Sequence, residues 1–175
     1  MRLSLPEVKG LVEWCSPVID IVKLGAGTGY ITGVVNKEKD LLAEKIKIYQ
    51  DHGVHVAMGG TFFEACLLQD KIEEMIQFLN YYKIHHVEIS LGSLPLKPSS
   101  ESEFFVTNED KLKYVQKFSS LGFKVFTEVG RKDDIVFTNQ EWIDQIKNDF
   151  NAGAWKVIVE GRESGMTGIY SLQIS

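Results

Sequence analysis

The feature that most constrains the fold is a regular alternation between short apolar runs and longer segments with helical periodicity. Five apolar runs recur at intervals of about 32 to 38 residues, and an amphipathic segment separates each pair. A repeat of this kind forms parallel strands joined by right-handed helical crossovers. The period favours a (β/α) barrel over a doubly wound sheet, although periodicity alone does not decide between them. The predicted strands cover residues 18–24, 54–58, 86–91, 123–129 and 157–159.

Capping and turn residues mark where the intervening helices begin and end. Ser4 with Glu7, and Thr138 with Glu141, have the spacing of a capping box. Helices are expected to stop at two glycines, Gly53 and Gly122. In the segment 69–82 the apolar residues fall on one face, which predicts a buried stripe of Ile72, Met75, Ile76 and Leu79. The first predicted helix begins near Pro6, and the other four cover residues 37–50, 69–82, 107–121 and 138–150.

Length and composition indicate one globular domain. The chain has 175 residues, of which 44% are hydrophobic, and we expect one (β/α)-barrel-like domain over residues 1–175. Acidic residues outnumber basic ones by 24 to 19, and the net charge of −5 argues against binding to nucleic acid or to an anionic membrane. No apolar run approaches the length of a membrane span, and the N-terminus lacks a signal-peptide pattern, so a cytoplasmic protein is expected. Cys15 and Cys66 match no metal or redox spacing and are interpreted as buried thiols.

Polar side chains stand at or near the last residue of four predicted strands. Because the carboxyl ends of parallel strands share one edge of a sheet, residues that are distant in sequence are expected to converge there. Side chains two apart share a face of a strand, so Glu88 and Ser90 are expected to point the same way. Each residue alone is also consistent with a structural ion pair, but their recurrence favours a shared site for an anionic ligand or a metal ion. The residues are Lys23, Glu88, Ser90, Glu128, Glu160 and Arg162.

The residue types at these strand ends indicate the chemistry. Several carboxylates suit Mg²⁺, which takes few protein oxygens and leaves its other positions to water and substrate. Glycine-rich loops also follow the strands, and their backbone N–H groups are suited to bind phosphate, although glycine serves tight turns as well. These loops are residues 25–29, 59–61 and 165–168.

An arginine and a lysine complete the set of candidates, whereas the histidines do not join it. Arg162 is suited to clamp a carboxylate or a phosphate with two hydrogen bonds. Lys132, just after the fourth strand, is suited to deliver a proton. The four histidines are not expected to share a metal ion, because the adjacent His85 and His86 face opposite sides of a strand.

Five ordered motifs carry a resemblance to a known family. They are DIVKLGAGT from Asp20 to Thr28, GGT at residues 59–61 with Glu64, VEISLG at residues 87–92, TEVGRK at residues 127–132 and EGRESG at residues 160–165. The chain resembles the phosphosulfolactate synthase family of carbon–sulfur lyases. The resemblance implies a closed (β/α)₈ barrel that uses Mg²⁺ to add sulfite to phosphoenolpyruvate, giving (2R)-3-phosphosulfolactate. In methanogens this product leads to coenzyme M, and in some sporulating bacteria it leads to sulfolactate.

The resemblance also implies roles for individual residues. Glu88, Glu128 and Glu160 would surround the Mg²⁺ ion, which holds the phosphoenolpyruvate carboxylate and stabilises an enediolate-like intermediate. Lys23 and Arg162 would hold anionic groups of the substrates. Lys132 matches the acid that protonates C2 after sulfite has added to C3. The expected catalytic residues are therefore Lys132, Lys23 and Arg162. The expected substrate-binding residues are Lys23, Gly27, Thr28, Gly60, Thr61, Ser90, Arg162, Ser164 and Gly165.

The chain departs from the family pattern in three ways. The matched region resembles strands two to six of eight, so the first strand and the last two are not seen in the sequence. Ala26 stands where the family usually has a bulky aromatic residue. An alternative interpretation is therefore a truncated or non-catalytic relative, comparable to the plant heat-stress-associated proteins that resemble this family. Another phosphate-binding barrel lyase or aldolase fits the glycine loops but not the whole set of motifs.

Five parallel strands without closing partners leave two open edges, which favours association between copies of the chain. We therefore expect a homo-oligomer, or a curved sheet that is only marginally stable as a monomer. Light scattering and thermal melting test this expectation. A monomer that melts cooperatively well above about 65 °C would contradict it, since ordinary mesophilic domains melt below that temperature.

Overall fold

The computed structural model describes residues 3–25, 40–92, 106–130 and 137–159. Within these ranges helices and strands alternate along the chain, as the repeat predicts, except that two helices lie between the second and third strands. A 3₁₀ turn at Ser16–Val18 separates the first helix from the first strand. The elements in order are α1 Leu5–Cys15, β1 Ile21–Leu24, α2 Leu41–Asp51, β2 His55–Met58, α3 Gly60–Leu68, α4 Ile72–Tyr81, β3 His86–Ile89, α5 Asn108–Ser120, β4 Lys124–Val129, α6 Asn139–Asn151 and β5 Lys156–Val159.

The five described strands belong to one sheet in the order β1-β2-β3-β4-β5. The pairs β1–β2, β2–β3 and β4–β5 are parallel, with Lys23 opposite Ala57, Ala57 opposite His86, and Glu128 opposite Ile158. A helix precedes each of these parallel partners, as a right-handed crossover requires. The α/β class and the parallel pairing predicted from the repeat are confirmed.

The chain consists of two compact units, Met1–Val87 and Glu88–Ser175. In the first unit, α1 buries Val8 and Val12, which lie one helical turn apart. The predicted stripe on α4 is also confirmed. All four of its residues are buried, namely Ile72, Met75, Ile76 and Leu79.

In the second unit the core lies between β4 and its flanking helix α5. Val125 and Val129 are at most 1% exposed on β4, and Val115 and Phe118 are fully buried on α5. The third buried residue of α5 is the charged Lys111, one turn before Val115. The core of this unit therefore includes an ionic group.

Local capping chemistry agrees with the sequence. Ser4 and Thr138 form the predicted capping boxes, and Thr107 forms another at the start of α5. Gly53 and Gly122 follow helices with φ of +76° and +89°, a left-handed conformation that glycine adopts without a steric penalty.

Three sequence expectations need correction. The first strand begins at Ile21, not Val18, because Val18 belongs to the 3₁₀ turn and is 82% exposed. Helix α3 was not predicted, since the glycine-rich segment 59–61 was interpreted as a loop, whereas Gly59 is the N-cap of that helix. Cys66 is buried as expected, and burial raises the pKa of its thiol, but Cys15 is only half-buried.

No helix among the described residues is long and apolar enough to cross a lipid bilayer.

Asp40 makes two hydrogen bonds that connect the start of α2 with the end of α4. Its Oδ1 accepts from the Ala43 backbone N–H at 2.9 Å and caps α2, and its Oδ2 accepts from the Tyr82 hydroxyl at 3.0 Å. Partial burial of the phenol, together with the bond to Asp40 and its negative charge, raises the pKa of Tyr82 to about 12.

Titration of tyrosine ultraviolet absorbance is expected to show a phenol that ionises near pH 12 in the wild type and is absent from Tyr82→Phe. Because the folded-state pKa is raised above the ordinary value near 10, the stability from this bond is present below about pH 10 and is lost as the pH rises further. Tyr81 is 74% exposed and gives the control, since Tyr81→Phe should leave the transition in place. Persistence of the transition in Tyr82→Phe would show that another tyrosine causes it.

Candidate active site

In the first unit, Gly59 brings the start of α3 close to the carboxyl end of β1. The Gly59 N–H donates to the Leu24 carbonyl at 3.0 Å. A Cβ added at Gly59 would lie 3.1 Å from that carbonyl oxygen and 3.6 Å from Cγ of Lys23. The methylene groups of Lys23 therefore pass directly beside the N-cap of α3, and only a residue without a side chain fits there without displacement.

The predicted substrate-binding residues Gly60 and Thr61 occupy the first turn of α3. Gly60 is buried and Thr61 is exposed. Backbone N–H groups at the start of a helix, together with the helix dipole, favour a bound anion. Gly60 and Thr61 therefore follow directly on the glycine that approaches the stem of Lys23 and the end of β1, and their role in substrate binding stays a prediction.

In the second unit, Glu88 and Ser90 lie together at the end of β3. Both are 4% exposed, and the Ser90 hydroxyl is 3.5 Å from Oε1 of Glu88. This distance is long for a hydrogen bond, so the contact orients the carboxylate only weakly. The predicted shared face of these two residues is confirmed.

Glu128 is half-buried near the end of β4, in contact with a lysine that the sequence analysis did not select. Nζ of Lys111 lies 3.5 Å from the Glu128 carbonyl oxygen and 2.8 Å from Oδ2 of Asp149. Lys111 and Glu128 also line a cavity of about 20 Å³, together with Gly92 and Gly130. This volume has room for about one water molecule beside the strand end.

Two contacts were not predicted, because each joins residues that are distant in the sequence. Lys111 and Asp149 are 38 residues apart. Lys111 lies on the buried stripe of α5, and a charged residue on such a stripe indicates that a buried partner exists without indicating which residue it is. The rings of His55 and His86 have centroids 4.7 Å apart. Each is the first residue of one of two neighbouring strands, and the sequence pattern, which predicts only the opposite faces of the adjacent His85 and His86, does not indicate this contact.

The described part of the predicted metal-binding set is compatible with Mg²⁺. Glu88 and Glu128 lie near the carboxyl ends of β3 and β4, and Mg²⁺ commonly takes one or two carboxylates while keeping several waters. Within the ranges that the structure describes, no group of three or more histidine, cysteine or acidic residues could hold a metal ion. A closed structural zinc site, which needs four protein ligands, does not match the described residues.

Several predicted site residues lie outside the described residues. Their roles therefore remain predictions from the sequence. They are Gly27, Thr28, Lys132, Glu160, Arg162, Ser164 and Gly165.

Comparison with known proteins decides the family. A family model described as (2R)-phospho-3-sulfolactate synthase (ComA) matches residues 2–174. The chain belongs to this family. Among curated relatives named phosphosulfolactate synthase, the Bacillus subtilis (strain 168) protein is 39% identical over 166 residues, which cover 93% of this chain. The relatives from Methanocaldococcus jannaschii and Methanothermobacter thermautotrophicus are 34% and 31% identical, over 90% and 93% of this chain.

The chain of this synthase-family member is shorter than these relatives. It spans 59% of the Bacillus subtilis protein and 58% of each archaeal protein.

A solved structure supports the fold class. The crystal structure of 2,3-dimethylmalate lyase, a PEP mutase/isocitrate lyase superfamily member, is similar with a TM-score of 0.50 and 12% sequence identity, over 89% of this chain and 55% of that chain. At this identity the similarity concerns the fold alone. It confirms that the synthase-family chain has βα units of the TIM-barrel type.

Gly59→Ala is expected to lower the free energy of unfolding by about 1 to 2 kcal/mol, because the Leu24 carbonyl must shift and glycine is the better N-cap. Gly10, inside α1, is the matched control, since an added Cβ there meets nothing within 4 Å. Gly10→Ala is expected to raise the same free energy by about 0.5 to 1 kcal/mol. Urea unfolding followed by circular dichroism gives both values. Equal effects of the two substitutions would contradict the close approach at Gly59.

Proposed function

We propose that the chain carries the site of a phosphosulfolactate synthase, which adds sulfite to phosphoenolpyruvate to give (2R)-3-phosphosulfolactate. The observation that carries this proposal is the family match over residues 2–174, which includes every residue of the predicted site. The described carboxylates at the ends of β3 and β4 support it, because both substrates are anions whose reaction needs a compensating cation.

The first unit would contribute groups that bind the substrate's anionic ends. The first turn of α3, at Gly60 and Thr61, offers backbone N–H groups to a phosphate. Lys23, whose stem lies beside Gly59, would add a positive charge that neutralises the same group. Gly27, Thr28, Arg162, Ser164 and Gly165 would complete the binding of the two substrates.

Glu88, Glu128 and Glu160 would hold Mg²⁺, which, when bound, supplies positive charge where negative charge develops on the substrate. Ser90 would help to orient the Glu88 carboxylate through the contact at 3.5 Å. In the addition, the sulfur lone pair of sulfite would form a bond to C3 while the C2–C3 π bond breaks, and its electron pair would move to C2 and the adjoining carboxylate. Lys132 would then give a proton to C2, so that a carbon–hydrogen bond replaces the nitrogen–hydrogen bond.

Lys132→Ala is expected to lower kcat by about 10²- to 10⁴-fold, the usual effect of removing a positioned acid. The measurement is sulfite-dependent consumption of phosphoenolpyruvate in the presence of Mg²⁺. Lys47→Ala is the control, because Lys47 is exposed on α2 and forms an ion pair with Asp51 one helical turn away. A Lys132→Ala variant that keeps more than about half of the wild-type kcat would contradict the role given to this residue.

Ligand-dependent melting separates the proposal from a non-catalytic relative with a structural role. Mg²⁺ and phosphoenolpyruvate at about 100 times their Kd are expected to stabilise the protein by about 2.7 kcal/mol. A protein without the site would melt at the same temperature with and without these ligands. A folded wild-type protein that shows neither this stabilisation nor turnover would refute the proposed function.

A further inference from the structure

Lys111 and Asp149 form a buried ion pair in the second unit. Their side chains are 4% and 2% exposed, and Nζ of Lys111 is 2.8 Å from Oδ2 of Asp149. Asp149 is moreover the buried residue of α6, whose thirteen residues include large apolar side chains that remain exposed, such as Ile143 and Phe150. Trp142 and Ile146 lie on the same side of the helix as Asp149 and are half-buried, so α6 turns a charge among apolar side chains towards the interior.

Stability alone is a weak reason for such a pair. Removing two charges from water costs free energy that their attraction often fails to recover, and apolar residues of similar volume frequently replace a buried pair without loss. Exposed pairs are available elsewhere in the same unit, for example between Lys113 and Asp110 on α5. The position of the Lys111–Asp149 pair therefore needs another explanation.

The third group in contact with the pair is the strand end that carries Glu128. Nζ of Lys111 is 3.5 Å from the Glu128 carbonyl oxygen. This contact is weak as a hydrogen bond, but a full positive charge in a buried setting still attracts the carbonyl dipole. An ammonium group has three donors and can bind the carboxylate and the carbonyl together, which no apolar side chain can do.

The chain changes direction immediately after this contact. Gly130, two residues beyond Glu128, has φ of +107°, a conformation that glycine adopts freely. The cavity of about 20 Å³ lies against the same residues, with Lys111, Glu128 and Gly130 in its wall. Among the described residues, the electrostatic contact of Lys111 thus acts at the wall of this cavity, where it contributes to fixing the backbone at the end of β4.

We propose that Lys111 and Asp149 are positioning residues, which together hold the carboxyl end of β4 so that Glu128 stays in the orientation required at the metal- and substrate-binding site. Asp149 holds the Lys111 ammonium, and the ammonium holds the Glu128 carbonyl. The role at the binding site rests on the proposed function, whereas the fixing of the strand end is a property of the ligand-free protein.

The test is the double variant Lys111→Met with Asp149→Leu, which replaces the pair by apolar side chains. If the pair only joins the two helices, apolar side chains can replace it, and the amides at the end of β4 then exchange with solvent as slowly as in the wild type. The proposal predicts a melting temperature close to that of the wild type, but at least tenfold faster hydrogen exchange of the amides in residues 126–130. Amides of α1, a helix that carries neither substitution, are the internal control, and Lys47→Met with Asp51→Leu, at an exposed pair, is the matched variant.

Wild-type exchange rates at residues 126–130 in the folded double variant would overturn the proposal. If the double variant does not fold, Asp149→Asn is used instead, because the amide keeps an oxygen that accepts from Lys111. At least threefold faster hydrogen exchange of the amides in residues 126–130 is then expected. Unchanged exchange rates in this variant would also overturn the proposal. In the synthase assay, kcat of the double variant should fall at least tenfold while KM for phosphoenolpyruvate changes less than threefold. A wild-type protein without turnover would refute the proposed function. The hydrogen-exchange result would still decide whether Lys111 and Asp149 fix the end of β4.

Discussion

Parallel strand pairing decides which side chains of this chain can act together. Each strand sends alternate residues to opposite faces, and its carboxyl end lies at the same edge as that of its parallel neighbour. On β4 this alternation buries Val125 and Val129 completely while Glu128, between them, stays half-buried. The buried set, which also includes Thr127, packs against helices, so Glu128 on the other face is able to serve a site at the strand end. The core and the candidate site are consequences of one backbone arrangement.

Much of this arrangement was predictable because its signals are local. A capping box joins residues three apart, and the buried stripe of α4 needs only the helical period, so both were read from the sequence. The pairing of Glu88 with Ser90 followed from the two-residue period of a strand in the same way. These features depend on backbone geometry within one turn or one strand, and the sequence contains all of it.

The features that were not predicted depend on contacts between distant segments. Helix α3 begins at Gly60 because Gly59 fits against the Leu24 carbonyl, and two adjacent glycines otherwise suggest a loop. The contact between His55 and His86 needs the register of two strands, which a single strand does not reveal. Such contacts are set by packing that becomes known only when the segments are placed, so local patterns could indicate the residues but not their partners.

Charge balance explains why an ion pair, and not a single lysine, stands behind β4. A lone buried ammonium beside Glu128 would oppose the binding of a divalent cation to that carboxylate, because screening is weak in a buried setting. Asp149, at 2.8 Å, cancels most of the field of Lys111 at longer range while leaving the short contact to the Glu128 carbonyl intact. The pair thus contributes a directed contact without a net charge. For the proposed site, which would bind both anionic substrates and a cation, a neutral support is the arrangement that disturbs neither.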